Sequence, residues 1–210
     1  MNFRYPIFLD LTDKKCLVTG AGSEIAAKVR GLVQARADVT YVNPNAEESI
    51  QALATAGAIH WERRDFEPRD LAGCFLVITD RDENAEIFRM AEEQKALCNS
   101  VDDPGNCRFS FGSLHRQGDL TIAISTNGQA PAVAVRLREK FQREIGPEYA
   151  ALLAILRVFR PIITASVPEF ADRRKLWYRI VDSNVLQLIR RGHMEHAVEA
   201  IARMLDEAAR

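Results

Sequence analysis

The chain has 210 residues, of which 47% are hydrophobic and 27% charged, and its formal net charge is −1. That length and balance suit one ordinary domain with an extension, or two small ones, around a packed core. Basic and acidic residues are interspersed, which excludes the strongly basic face of a nucleic-acid binder. The four cysteines, Cys16, Cys74, Cys98 and Cys107, form no C-x-x-C pair and read as buried reduced thiols. The amino-terminal stretch carries Asp10 and no small-residue cleavage site, so it does not read as a signal peptide. No run is expected to reach the ~18 apolar residues of a membrane span. A soluble, cytoplasmic protein without a membrane partner is the resulting expectation.

Up to about residue 110 the pattern alternates strand and helix. "KCLVTG" (15–20) reads as a strand, "SEIAAKVRGLVQAR" (23–36) as a helix and "DVTYVN" (38–43) as a second strand. "EESIQALATAG" (47–57) follows as a helix, then "IHWERR" (59–64) as a short strand and "CFLVITD" (74–80) as an apolar one. "NAEIFRMAEEQKA" (84–96) has helical spacing, and "LCNSV" (97–101) closes the series as a strand. Such alternation implies βαβ units and a parallel sheet covered on both faces, an α/β fold of Rossmann type.

The grammar then changes. Two extended segments flank Gln117-Gly118-Asp119, predicting a hairpin or an exchanged arm. A helix with Pro131 in its first turn and Gly146 at its end follows, and then a helical tail punctuated by Pro161, Pro168 and Gly192. Three parts are expected: a sheet domain over 1–112, a β-plus-helix segment over 113–146 and a helical carboxy-terminal domain over 147–210.

The first strand ends in "GAGSEIA". Gly20 and Gly22 fit the opening of a dinucleotide fingerprint, where glycines allow a tight turn and close approach to a pyrophosphate at a helix amino terminus. The third small position is instead Ile25, with Ala26 one residue late. The acidic residue usual after the second strand is replaced by Asn43, which keeps hydrogen-bonding capacity toward a ribose but lacks the charge that repels a 2′-phosphate. The turn also passes for that of short-chain dehydrogenases. No tyrosine is followed four residues later by the lysine that chemistry needs, and that family is set aside.

Three stretches in order, "YPIFLDLTDKKCLVTGAG", "LCNSVDDPGNCRF" and "GDLTIAISTNGQAPAVAVRLREK", together resemble the precorrin-2 dehydrogenase family, the amino-terminal module of siroheme synthases. The resemblance spans about residues 5 to 145. It implies an NAD-binding Rossmann domain, a dimerisation segment at 113–146 and a helical tail domain, assembled as a homodimer. It implies NAD-dependent oxidation of precorrin-2 to sirohydrochlorin, and in some members insertion of Fe2+. A non-catalytic module binding NAD or a tetrapyrrole is the alternative, supported by departures at Ile25, Asn43, Gly112, Asn127 and Ala130.

Carried onto this chain, the family's catalytic acid matches Asp102, expected as a partly buried carboxylate that accepts a proton as the hydride leaves. Asp103 reads as a turn residue before Pro104. Cofactor contacts fall on Gly20, Gly22, Ser23, Glu24 (through its backbone), Asn43, Pro44, Asn45, Thr79 and Asp80. The substrate carries eight carboxylates. Ser125, Thr126, Gly128, Arg136 and Arg138 are its expected binding residues, although Arg136 and Arg138 cannot share one helical face. No metal site is expected. His193 and His196 read as a solvated helix start, and His60 and His115 as structural or exposed. "RDFEPRD" reads as a solvated loop. "ADRRKLWYR" reads as an exposed helix with Trp177 inward, its arginines Arg173 and Arg174 and its Lys175 being able to reach substrate carboxylates.

Overall fold

In the computed structural model, which describes residues 4–210, the chain divides into two compact units, 1–110 and 111–210. The first three residues of the amino-terminal stretch read above lie outside the described residues.

The first unit alternates as its pattern requires: β1 (Lys15–Gly20), α1 (Ser23–Gln34), β2 (Asp38–Val42), α2 (Glu48–Thr55), β3 (His60–Glu62), β4 (Leu76–Asp80), α3 (Asn84–Glu93) and β5 (Leu97–Ser100). Every pairing is parallel and the strand order is β3-β2-β1-β4-β5. The chain moves outward from β1 through β3, then crosses back to lay β4 on the other side of β1. The reversal opens a crevice beyond the carboxyl ends of β1 and β4, where sheets of this kind bind ligands.

Both faces of the sheet are covered, which is why its central strands are apolar at nearly every position. Val18, Tyr41 and Ile78 pack with Ile25, Val29 and Ile50 from the helices on one face. Leu17, Val77 and Cys98 pack with Ile87 and Ala91 on the other. All four cysteines are free. Burial pushes the thiols of Cys16 and Cys98 up to about 12, so they serve as packing and not as nucleophiles.

"RDFEPRD" is not simply a solvated loop. Arg64 donates to both carboxylate oxygens of Asp70 at 2.8 and 2.7 Å, and Asp70 also accepts from the Glu67 N–H at 2.9 Å. The Asp70 side chain is only 8% exposed. Sequence alone does not reveal that a 3-10 turn, Pro68–Leu71, folds the acid back onto the arginine.

The second unit holds an antiparallel hairpin, β6 (Ser113–Gln117) and β7 (Leu120–Ile124), followed by α4 (Pro131–Glu144), α5 (Pro147–Ser166), α6 (Phe170–Val181), α7 (Val185–Arg190) and α8 (Met194–Ala208). The segment over 113–146, expected as a part of its own, shares one unit with the helical tail. A two-stranded hairpin and one helix bury too little apolar surface to stand alone. Within the unit, the buried His115 bonds through Nε2 to the Ile145 carbonyl at 2.9 Å, tying the hairpin to the end of α4.

Pro161, expected to punctuate the tail, instead lies inside α5. The ring removes one backbone hydrogen bond, but Leu152 and Ile163, before and after it, are both seated in the same helical core. The unbroken helix also corrects the expectation of no span-length run. The 20 residues of α5 are long and apolar enough, by length and composition, to cross a membrane. Its core-facing residues account for part of that apolar character. The helix start at His193 and His196 is exposed, as expected.

Burial raises the Asp70 carboxyl, but the hydrogen bonds from Arg64 and the Glu67 N–H outweigh it and hold the group below its ordinary range. The folded-state pKa is therefore the lower one. Its stabilising contribution is complete above about pH 4 and fades as pH falls through the folded value. Asp70→Asn should cost about 2 kcal/mol at pH 7, and the difference from the parent protein should shrink below about pH 4 in denaturant titrations.

Candidate active site

The crevice is built on Gly20. This residue has φ +121°, and a Cβ there would sit 2.7 Å from the Asp80 carbonyl oxygen and 2.8 Å from the Asp80 Cβ. Only glycine lets β1 end against β4 in this way. Its carbonyl accepts hydrogen bonds from the Tyr41 hydroxyl at 2.7 Å and from Asn43 Nδ2 at 2.6 Å. Burial first, and then Glu47, push the Tyr41 hydroxyl up to about 12, so it remains a donor at neutral pH.

Gly22 answers to a different demand. Its φ of +93° and ψ of 170° lie where L-residues are strained, yet a Cβ there would touch nothing within 4 Å. Among the described residues, no atom comes within 4 Å of the space that this glycine leaves open. No side chain caps α1, whose first turn begins at Ser23. The free N–H groups of Ser23, Glu24 and Ile25 therefore supply donors and the positive end of the helix dipole, the requirements of a pyrophosphate. The Glu24 carboxylate is drawn to Lys28 at 3.3 Å, which leaves the backbone as that residue's contribution. Ile25 and Ala26 point into the core, so the departure at the third small position does not close the cradle.

Two expected cofactor contacts have side chains already engaged within the protein. Asn43 is only 9% exposed. Its Nδ2 is bound to Gly20 and its Oδ1 accepts from the Asn45 N–H at 3.1 Å, while Trp61 Nε1 donates to its carbonyl at 2.9 Å. The Asn43 amide fastens the turn instead of facing a ribose, and Pro44 and Asn45 form the exposed lip. Thr79 is fully buried and its hydroxyl donates to Asn84 Oδ1 at 2.9 Å, beneath the crevice floor. Its register neighbours Thr19 and Ser100 carry buried hydroxyls with no partner among the described residues.

Asp102 follows β5, in a turn closed by the Asp103 N–H on the Ser100 carbonyl at 3.2 Å. It adopts φ +56°, a left-handed conformation uncommon outside glycine but tolerated by Asp and Asn. The expectation of a partly buried carboxylate is corrected, because Asp102 is exposed. Asp103 is the turn builder, accepting from Asn106 Nδ2 at 2.6 Å. Asp80, at the carboxyl end of β4, was read from the sequence only as a cofactor contact. Its pKa is raised, first by burial and then by the charges of Asp102 and Glu24. Three carboxylates thus share the carboxyl edge of the sheet, at the same end as the glycine turn. No regular spacing in the sequence announces their convergence.

The expected substrate residues lie in the second unit. Ser125 Oγ accepts from the Asn127 N–H at 3.1 Å and Thr126 Oγ1 from the Ala130 N–H at 3.3 Å, so both hydroxyls shape the loop before α4. Asn127 at φ +52° and Gly128 at φ +78° are both left-handed. Asn127, one of the departures noted in the sequence, thus takes a left-handed conformation that asparagine tolerates. Gly112 also has a local reason, since a Cβ there would meet the Ile124 carbonyl oxygen at 3.0 Å. Arg136 is exposed and paired with Glu139 at 2.8 Å, and Arg138 donates to Gln142 at 3.3 Å. Among the described residues no group of three His, Cys, Asp or Glu side chains could hold a metal.

Sheet order, switch-point crevice and glycine cradle define a Rossmann-type dinucleotide-binding domain joined to a helical unit. A family described as "Putative NAD(P)-binding" matches residues 7–113, "Sirohaem biosynthesis protein central" matches 117–144 and "Sirohaem synthase dimerisation region" matches 148–205. The chain belongs to this NAD(P)-binding family. The dimerisation description falls on 148–205, whereas the resemblance had suggested 113–146.

The chain is 32% identical over 204 residues to the siroheme synthase of Actinobacillus pleuropneumoniae, covering 96% of this chain and 42% of the relative. It is 36% identical over 191 residues to siroheme synthase 1 of Aeromonas salmonicida, covering 89% of this chain and 41% of that one. It thus spans less than half the length of these relatives. The solved structure of SirC, a precorrin-2 dehydrogenase, shares the fold with a TM-score of 0.79 at 20% identity, covering 95% of this chain and all of the other.

Gly20→Ala should destabilise the protein more than Gly22→Ala, because a backbone clash adds to about 1–3 kcal/mol of conformational strain. Gly22→Ala should instead weaken dinucleotide binding, which titration of both variants with NAD would separate. In 13C NMR titrations Asp102→Asn should lower the midpoint of Asp80, since a repelling charge is removed.

Proposed function

We propose that the protein oxidises precorrin-2 to sirohydrochlorin with NAD as hydride acceptor. The observation that carries this reading is the presence of an anion cradle and an exposed, conformationally strained acid at one edge of the same sheet. NAD, when bound, supplies the two-electron acceptor. Gly22 and the N–H groups of Ser23, Glu24 and Ile25 would hold its pyrophosphate, with Pro44 and Asn45 at the lip. Asp102 accepts the proton released as the macrocycle is oxidised, so each turnover yields sirohydrochlorin, NADH and one proton. Asn43 carries no charge that would repel a 2′-phosphate, so this position does not itself discriminate NAD from NADP. Fe2+ is a second candidate substrate, in which the same acid receives pyrrole protons. The reduced thiols fit a cytoplasmic enzyme.

Within 148–205, α5 exposes an apolar strip at Val158 and Ile162, 63% and 46% exposed, on a face turned away from its core residues Leu152 and Ile163. A homodimer sealed through this strip accounts for its exposure.

Mixed anaerobically with precorrin-2 and NAD, the protein should form NADH and the sirohydrochlorin spectrum in equal amounts. Asp102→Asn should reduce the rate at least ~100-fold while NAD affinity stays unchanged, because asparagine tolerates the same left-handed backbone. Turnover unaffected by that substitution, or none by the parent protein at high concentration, would reject the reading. Val158→Asp with Ile162→Asp should shift the species in sedimentation from dimer to monomer.

A further inference from the structure

In a Rossmann-type domain the ribose of the adenosine half rests at the carboxyl end of β2. An acid there selects the free 2′-hydroxyl, whereas a nearby arginine accommodates a 2′-phosphate. Asn43 stands at that position, directly after β2. It carries no charge, and its amide is committed to the Gly20 carbonyl and the Asn45 N–H. Its side chain therefore cannot read the 2′ position. Discrimination passes to the neighbouring strand.

β3 lies beside β2 with Val42 opposite Glu62, and the Asn43 N–H donates to the Glu62 carbonyl at 3.2 Å. One residue earlier, Trp61 Nε1 donates to the Asn43 carbonyl at 2.9 Å. The Arg63 guanidinium lies over that indole, 4.2 Å from the ring centre. Trp61 is thus a fixed platform that carries a cation beside the ribose position. Contact with a ring engages the face of a guanidinium and leaves its edge of N–H donors to meet a phosphate in two-pronged fashion.

The other charges around this rim are committed. Arg64 is held by Asp70, and Arg81 by Asp65 and Glu83 at 3.4 and 3.3 Å. Glu62 reaches Arg64 at 3.8 Å, and Glu48, in the first turn of α2, offsets the dipole of its own helix. Arg63 is exposed and has no ion-pair partner among the described residues. A cation without a partner is ordinary at a surface. One laid on an indole that is itself pinned to the Asn43 carbonyl is preorganised for an anion at the ribose.

We infer that the cofactor crevice accepts a 2′-phosphate with Arg63 as its contact, so that the protein binds NADP at least as tightly as NAD. The inference rests on the dinucleotide-binding fold and not on the dehydrogenase reading. The 2′-phosphate sits at the far end of the dinucleotide from the nicotinamide, so the same ring and the same acid serve either cofactor.

The test is calorimetric titration of the full chain with NAD and with NADP at low and at moderate salt. Arg63→Gln should weaken NADP binding about tenfold and leave NAD binding unchanged, and Arg63→Glu should weaken NADP further. Retained NAD affinity in both variants reports an intact fold. The affinity for NADP should fall with salt more steeply than that for NAD. Arg69→Gln, an exposed arginine paired with Glu67, should alter neither. NADP bound more weakly than NAD by the parent, or an NADP affinity unmoved by both substitutions at Arg63, overturns the inference. So does an equal loss of NAD and NADP in those variants, since Arg63 would then serve something common to both. Failure of the parent to bind either dinucleotide overturns it together with the cofactor assignment. Binding of both as described, without oxidation of precorrin-2, faults the dehydrogenase reading alone.

Discussion

The candidate site depends on the contact between Gly20 and Asp80. β1 can end against β4 only because Gly20 has no side chain, since a Cβ would fall 2.7 Å from the Asp80 carbonyl oxygen. The backbone turns there with φ +121°, and its carbonyl is held from two sides by Tyr41 and Asn43. That clamp fixes the exit direction of the chain, hence the position of Gly22 and the first turn of α1. A rigid turn matters because a helix amino terminus binds an anion only where its N–H groups already point.

A second constraint is electrostatic. Asp80, Asp102 and Glu24 lie near enough for burial and mutual repulsion to raise the Asp80 pKa, a cost in stability with no compensating ion pair on Asp80 itself among the described residues. Strain at Asp102 adds to it. Folds tolerate such combinations where chemistry needs them, and they cluster at sites of reaction. Elsewhere in the sheet domain the thiols of Cys16, Cys74 and Cys98 are buried, and the edge at β5 is covered where the Arg108 N–H donates to the Cys98 carbonyl at 2.8 Å.

Much of this was legible in the residues. The alternation of apolar strands with helical spacing gave all five parallel strands and their helices, and the Gln117-Gly118-Asp119 turn gave the hairpin. The glycine cradle could be read because φ and close approach select glycine strongly. Side-chain commitments could not be read. Asn43 and Thr79 stand at positions where a cofactor contact is natural, and nothing local shows that Gly20 and Asn84 already occupy them. Pro161 looked like a break because the packing of Leu152 and Ile163 that carries α5 past it is tertiary. The placing of Arg63 over Trp61 beside Asn43 joins two neighbouring strands, and neither stretch alone shows it.

The central claim is that the glycine cradle and Asp102 serve one pocket. The most direct measurement is a crystal structure with NAD bound. The account predicts the pyrophosphate over Gly22 and the first N–H groups of α1, with the nicotinamide end beside the Asp102 carboxylate. A pyrophosphate bound elsewhere, or a nicotinamide directed away from Asp102 toward β3, would contradict it.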